Sequence, residues 1–171
     1  MKIALVGAFD RNNYGDVLMP IILEQRLNKV FKNVQYSYYG LQKADMSKIK
    51  GVNTKPLSEI YDSNNYFDAV IVVGGQVLTS DYKNMYLNLQ QNPMYILVIK
   101  LLSKVFKKKI EKYCRYKLSG KEIQPWIIDK EKINCKLLIY NTIGGKAIVD
   151  NKNVRAAIKK IDYISVREKE T

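Results

Sequence analysis

Asp68-Ala69-Val70-Ile71-Val72-Val73, closed by Gly74-Gly75, decides the fold of this chain. After Asp68 the run is apolar without alternation, which marks a strand covered on both faces, as in a parallel sheet. The chain opens the same way, with Lys2-Ile3-Ala4-Leu5-Val6 ending at Gly7. Lys136-Leu137-Leu138-Ile139-Tyr140 repeats the pattern before the loop Asn141-Thr142-Ile143-Gly144-Gly145. Helical spacing fills the stretches between these strands. Strands alternating with helices predict a Rossmann-like α/β fold, mostly parallel, with helices on both faces of the sheet.

The remaining elements follow from local signals. Asp16 is the expected N-cap of the first helix, with Pro20 in its first turn. Leu18, Ile21, Ile22, Leu27 and Val30 are expected to form its buried face. A second strand is expected over residues 33–39, and only weak elements over 40–65. Residues 82–118 read mostly as helix, broken near Asn92-Pro93. A short helix over 153–160 and a strand over 163–166 complete the pattern. The 171 residues suit one domain. Thr171 resembles the cap of a helix still to come, so residues 1–171 read as a truncated first domain.

Composition narrows the chemistry. There is no histidine, which removes histidine-based triads and histidine-ligated metals, and neither metal nor cofactor is expected. Basic residues number 29 against 16 acidic ones, a formal charge of +13, which favours anionic partners. Cys114 and Cys135 are the only cysteines, too few for a disulfide framework, so the expected compartment is cytoplasmic. No apolar run reaches the roughly 20 residues of a membrane-spanning helix.

Ligand sites in open α/β sheets lie outside the carboxyl ends of the strands. Three loops meet that description: residues 7–16, 74–81 and 141–146. Gly7 and Gly15 allow tight turns and close backbone approach in the first. Neither a dinucleotide-binding glycine pattern nor a Walker loop is present. Asp16 is either a plain helix cap or a group aimed at sugar hydroxyls, and Asn13 either shapes a turn or a pocket. Gly74 and Gly75, with Asp81 nearby, repeat the arrangement after the third strand.

Gly7-Ala8-Phe9-Asp10, Asn13-Tyr14-Gly15-Asp16, Val72-Val73-Gly74-Gly75, Tyr140-Asn141-Thr142-Ile143-Gly144-Gly145 and Ile164-Ser165-Val166-Arg167-Glu168 occur in one order. In that order they resemble the polysaccharide pyruvyl transferase family, from Ile3 to Thr171. The resemblance implies the N-terminal half of a glycosyltransferase B-type architecture. It also implies transfer of a pyruvyl ketal group from phosphoenolpyruvate to a glycan acceptor, on a surface polysaccharide or its lipid-linked precursor. Asp16 and, more weakly, Asp81 are then the acceptor-side catalytic candidates. Gly7, Asn13, Tyr14, Gly15, Gly74, Gly75, Asn141, Gly144 and Gly145 become substrate-binding candidates. Arg167 becomes a grip for the donor's carboxylate or phosphate, or else an ion-pair partner of Glu168 or Glu170. Gln76 stands where family members often carry a third glycine. The donor-binding second domain, with the family's histidine, is not in this sequence, so the chain alone is expected to be inactive. The rival expectation is a non-catalytic fragment that binds carbohydrate or membrane.

Lys100, Lys104, Lys107, Lys108, Lys109, Lys112, Arg115, Lys117 and Lys121 alternate with Leu101, Leu102, Val105, Phe106, Ile110 and Tyr113. The segment Lys100–Lys121 is a basic amphipathic pattern. It suits an anionic membrane at the inner face of the cell, a helix with its apolar side in the core and its lysines in water, or a helix packed against the second domain. No zinc spacing or stacking motif points to specific nucleic acid.

Overall fold

A computed structural model describes residues 1–122, 124–145 and 152–167. The apolar runs form the middle of one sheet. In chain order the elements are β1 (Lys2–Val6), α1 (Tyr14–Val30), β2 (Gln35–Gly40), β3 (Lys55–Pro56) and β4 (Phe67–Val73). Then follow α2 (Tyr82–Asn88), α3 (Pro93–Val105), α4 (Lys107–Lys117), β5 (Cys135–Ile143), α5 (Lys152–Ile158) and β6 (Tyr163–Val166). The sheet has six strands in the order β3-β2-β1-β4-β5-β6, and every pairing is parallel. This is a Rossmann-like α/β fold. β3 is a two-residue edge strand, too short to show any periodicity in the sequence.

The pleat sends alternate residues to opposite faces, and both faces are covered at β1 and β4, while Leu137 of β5 and Tyr163 and Val166 of β6 stay exposed. Ile3, Leu5, Ala69, Ile71 and Val73 meet Met19, Leu23 and Leu27 of α1. Ala4, Val6, Val70, Val72, Leu138 and Tyr140 meet Tyr82, Cys114, Trp126, Val154 and Ala157. The expected face of α1 is therefore corrected. Val17 and Pro20 are its buried residues, while Ile22 and Val30 are exposed. Residues 17–23 are nearly all apolar, so spacing alone does not say which stripe the sheet takes. Pro20 also lies beyond the first turn.

Two further expectations change. Asn13 caps α1, its Oδ1 accepting from Gly15 N at 3.2 Å, so Asp16 sits inside the first turn. The helical stretch after residue 82 breaks near Asn92-Pro93 and again at Phe106, which joins α3 to α4 outside helical geometry. The tail beyond Arg167, with Glu168, Glu170 and the expected cap Thr171, lies outside the described residues, as does Lys146.

Carboxylates do much of the stitching by accepting from backbone amides. Asp68 takes Lys2 N at 2.7 Å, and Asp162 takes Leu138 N at 2.7 Å. Glu111 of α4 takes Tyr82 N and Lys83 N at 2.8 and 3.1 Å, capping α2 from a neighbouring helix. The Leu138 amide and the Lys130 ammonium hold the Asp162 carboxyl below the usual range. Cys114 is buried, and burial pushes its thiol up to about 11, so it packs as a small apolar group.

Tyr140 ties β5 to the segment before it. Its hydroxyl donates to Trp126 O at 2.9 Å and accepts from Ile128 N at 2.9 Å, fully buried. Tyr140→Phe leaves both backbone groups without a partner. Urea denaturation of this variant is expected to show a loss of about 1–3 kcal/mol.

Candidate functional site

The site begins where β1 and β4 release their loops side by side. β1 continues sheetward on one flank through β2 and β3, and β4 on the other through β5 and β6. Loops leaving such a pair diverge and leave a crevice at the carboxyl edge. Here the crevice is a cleft of about 380 Å³ lined by Gly7, Asn13, Asp16, Gly74, Gly75 and Arg167, with Arg11, Ser80 and Trp126.

One wall is set by a buried carboxylate. Asp10 is packed against Gly40, where an added Cβ would lie 2.8 Å from its side chain. Asp10 Oδ2 accepts from Gln42 N at 3.0 Å, and Oδ1 accepts from Arg11 Nε and Nη2 at 3.2 and 3.0 Å. Arg11 is thereby held almost buried, with Nη1 3.3 Å from Met85 Sδ and its guanidinium 6.0 Å from the Trp126 ring centre. An arginine fixed on three sides presents a pre-oriented cation to the cleft.

Asn13 hands Asp16 to the same cleft. With Asn13 as the cap, Asp16 is free of that task and accepts instead from Asn13 Nδ2 at 2.8 Å. Burial lifts the Asp16 carboxyl above the ordinary aspartate range, while the Arg11 guanidinium and the Asn13 amide pull it partly back. A carboxyl so placed exchanges a proton with a bound hydroxyl more readily than an exposed one.

The other wall is two loops sewn together. Gly144 N donates to Gly75 O at 2.9 Å, and Leu78 N donates to Gly144 O at 3.3 Å. Gly74 and Gly75 have φ of +62° and +78°, and a Cβ at Gly74 would strike Met19 Sδ. The positive φ is what favours glycine at 74, since the flexible end of Met19 can move aside. Thr142, a β-branched residue, also has a positive φ, +56°, at the irregularity in β5. Arg167 extends along Gly144, where a Cβ would come within 3.2 Å of its Nη2.

Of the expected site residues, the structure brings Gly7, Asn13, Asp16, Gly74, Gly75 and Arg167 to the cleft. Gly144 and Gly145 sit behind its wall, against Arg167 and Leu78. Tyr14 and Gly15 are exposed on the first turn of α1. Asn141 lines a separate shallow hollow beside Met19 and Ile22. Asp81 caps α2 through Asn84 N at 2.6 Å and does not line the cleft. Arg11 and Trp126 escaped the sequence reading, because the residues that bury and fix the Asp10–Arg11 pair, Gly40, Met85 and Trp126, are distant in the chain.

A second, open trough of about 780 Å³ joins the cleft through Arg11, Asn13 and Asn88. Asn12, Gln42, Gln90 and Gln91 line it with Asp45 and Lys48. Side-chain amides offer a donor and an acceptor together, which suits neighbouring hydroxyls. Among the described residues, no group of three or more His, Cys, Asp or Glu side chains is placed to hold a metal ion.

The chain matches no protein-family model, no curated protein and no solved structure.

Two variants probe these walls. Arg11→Met strands the buried Asp10 carboxylate and is expected to cost about 3–5 kcal/mol in chemical denaturation. Asp16→Asn works the other way. A carboxyl with a raised pKa binds its proton more tightly when folded, so ionised Asp16 costs stability above the usual aspartate range. Thermal unfolding should show Asp16→Asn more stable at neutral pH, with the gain vanishing as the pH falls below 3.8, the ordinary value.

Proposed function

We propose that this chain forms the acceptor side of a polysaccharide pyruvyl transferase, working from phosphoenolpyruvate on paired hydroxyls of a glycan. The observation that carries this reading is one of convergence. Asn13 and Asp16, Gly74 and Gly75, and Arg167 belong to separate motifs of the resemblance, yet they line one cleft. The amide-rich trough opening from that cleft suits a glycan chain.

In the proposed reaction the enol carbon of the donor takes a proton and becomes a methyl group. Its neighbouring carbon forms bonds to two sugar oxygens and loses its bond to phosphate. Of the two hydroxyl protons released, one balances the methyl group and the other leaves with the phosphate. Asp16 receives a proton from an attacking hydroxyl, while Arg11 and Arg167 hold the donor's carboxylate and phosphate oxygens. Fixed cations of this kind stabilise the charge that accumulates on the departing phosphate.

Binding tests the reading without requiring turnover. Phosphoenolpyruvate titrated into the ¹⁵N-labelled chain is expected to shift the amides of Gly74, Gly75 and Gln76. Arg167→Gln should weaken that binding by about tenfold or more, the worth of a charge-assisted hydrogen bond. A hexoside with a free 4,6-diol should perturb Asn13 and Asn88, and Asp16→Asn should weaken it while leaving the donor's affinity unchanged. Phosphoenolpyruvate without effect on the cleft would overturn the transferase reading. Glycan binding alone would then leave a carbohydrate-binding module, the rival that the trough itself favours.

A further inference from the structure

We propose that the outward face of α3, together with the lysines that follow it, docks on an anionic lipid surface. This inference stands apart from the transferase reading and rests on residues that do not line the cleft. The core-facing expectation for this segment is corrected for α3. Its packed side is narrow: Ile99 is buried, and the Tyr95 hydroxyl lies 3.2 Å from that of Tyr86 and 2.9 Å from that of Tyr113. On the opposite side Met94, Leu97, Val98, Leu101 and Val105 recur at helical spacing and face solvent. Met94 is 68%, Leu101 52% and Val105 74% exposed. A helix apolar on both sides is a helix with a second surface to cover.

Charge identifies what covers it. Lys100 and Lys104 are exposed on α3, and exposed Lys107, Lys108 and Lys109 open α4 directly after exposed Phe106. Glu111 is the single acidic residue between Pro93 and Lys117, and its carboxylate is turned inward onto the amides of α2. Three lysines in a first helical turn also oppose the helix dipole, so α4 gains nothing from them in isolation. An anionic surface turns that cost into attraction. Lysine is depleted from protein–protein interfaces, and two copies of a +13 chain repel, whereas basic helices with apolar faces lie in membrane interfaces. At 13 residues, α3 would lie about 20 Å along the surface.

Cosedimentation of the full chain with vesicles is the test. Vesicles of phosphatidylcholine mixed with phosphatidylglycerol should carry the chain down, and vesicles of phosphatidylcholine alone should retain far less. Lys107→Gln, Lys108→Gln and Lys109→Gln combined should weaken the anionic binding by on the order of a hundredfold. Leu101→Asn with Val105→Asn should remove the part of the binding that survives high salt, since salt screens charge and spares apolar insertion. Both variants alter exposed side chains, and circular dichroism checks their folding. Equal binding to the two vesicle types, or an unchanged lysine variant, would overturn the proposal. So would concentration-dependent dimerisation abolished by the Leu101 and Val105 changes with no vesicle binding, which would assign the face to a second copy.

Discussion

Hydrogen bonds reach β1 from both sides: residues 2–6 pair with 35–39 on one flank, and residues 3–6 pair with 69–72 on the other. The sheet grows outward in opposite directions from this one strand pair. The chain must therefore leave β1 toward one face and β4 toward the other, and the two loops part at the carboxyl edge. Everything distinctive about the cleft follows from that parting. Asp10 then clamps the first loop to the segment after β2, and the bond from Gly144 N to Gly75 O clamps the second loop to β5. The cleft is fixed by backbone bonds and one buried ion pair, which is the kind of support a pre-organised site needs.

The fold was legible where burial on both faces wrote itself into composition. β1 and β4 are read from apolar runs because a central parallel strand has no wet side, and β5 is read the same way although its Leu137 stays exposed. Where one signal served two structures, reading failed. Asn13 and Asp16 are both good caps, and only the bond from Val17 N to Asn13 O decides between them. The apolar residues of α1 wrap round the helix, so no stripe stands out. The exposed face of α3 was illegible for a related reason, since periodicity records where apolar residues lie and not what lies opposite them.

That Gly7, Asn13, Asp16, Gly74, Gly75 and Arg167 would share one crevice was legible because their loops leave neighbouring strands at one edge, whereas Tyr14, Gly15, Asp81 and Asn141 do not line it. Gly74 is favoured by its left-handed dihedral angle. Arg11 was not legible. An arginine in a polar loop reads as solvated, and its fixed position depends on Asp10 buried against Gly40 and on Trp126, more than a hundred residues away. Asn141 shows the converse: expected to open a loop, it lies inside β5, which runs to Ile143, and it lines the hollow on the α1 side of the sheet.

The inward-turned carboxylates have an outcome for the molecule's behaviour in solution. Asp68, Asp81, Glu111 and Asp162 accept backbone amides, and Asp10 and Glu122 are buried beside cations. Negative charge is thus consumed in joining elements, while among the described residues the lysines of α3 and α4 make no salt bridge. To another macromolecule the strip along α3 and α4 is more cationic than the rest of the chain, because lysines gather there and Glu111 is the single acid among them. A strip of that kind is expected to hold the protein on a cation exchanger until strong salt screens it.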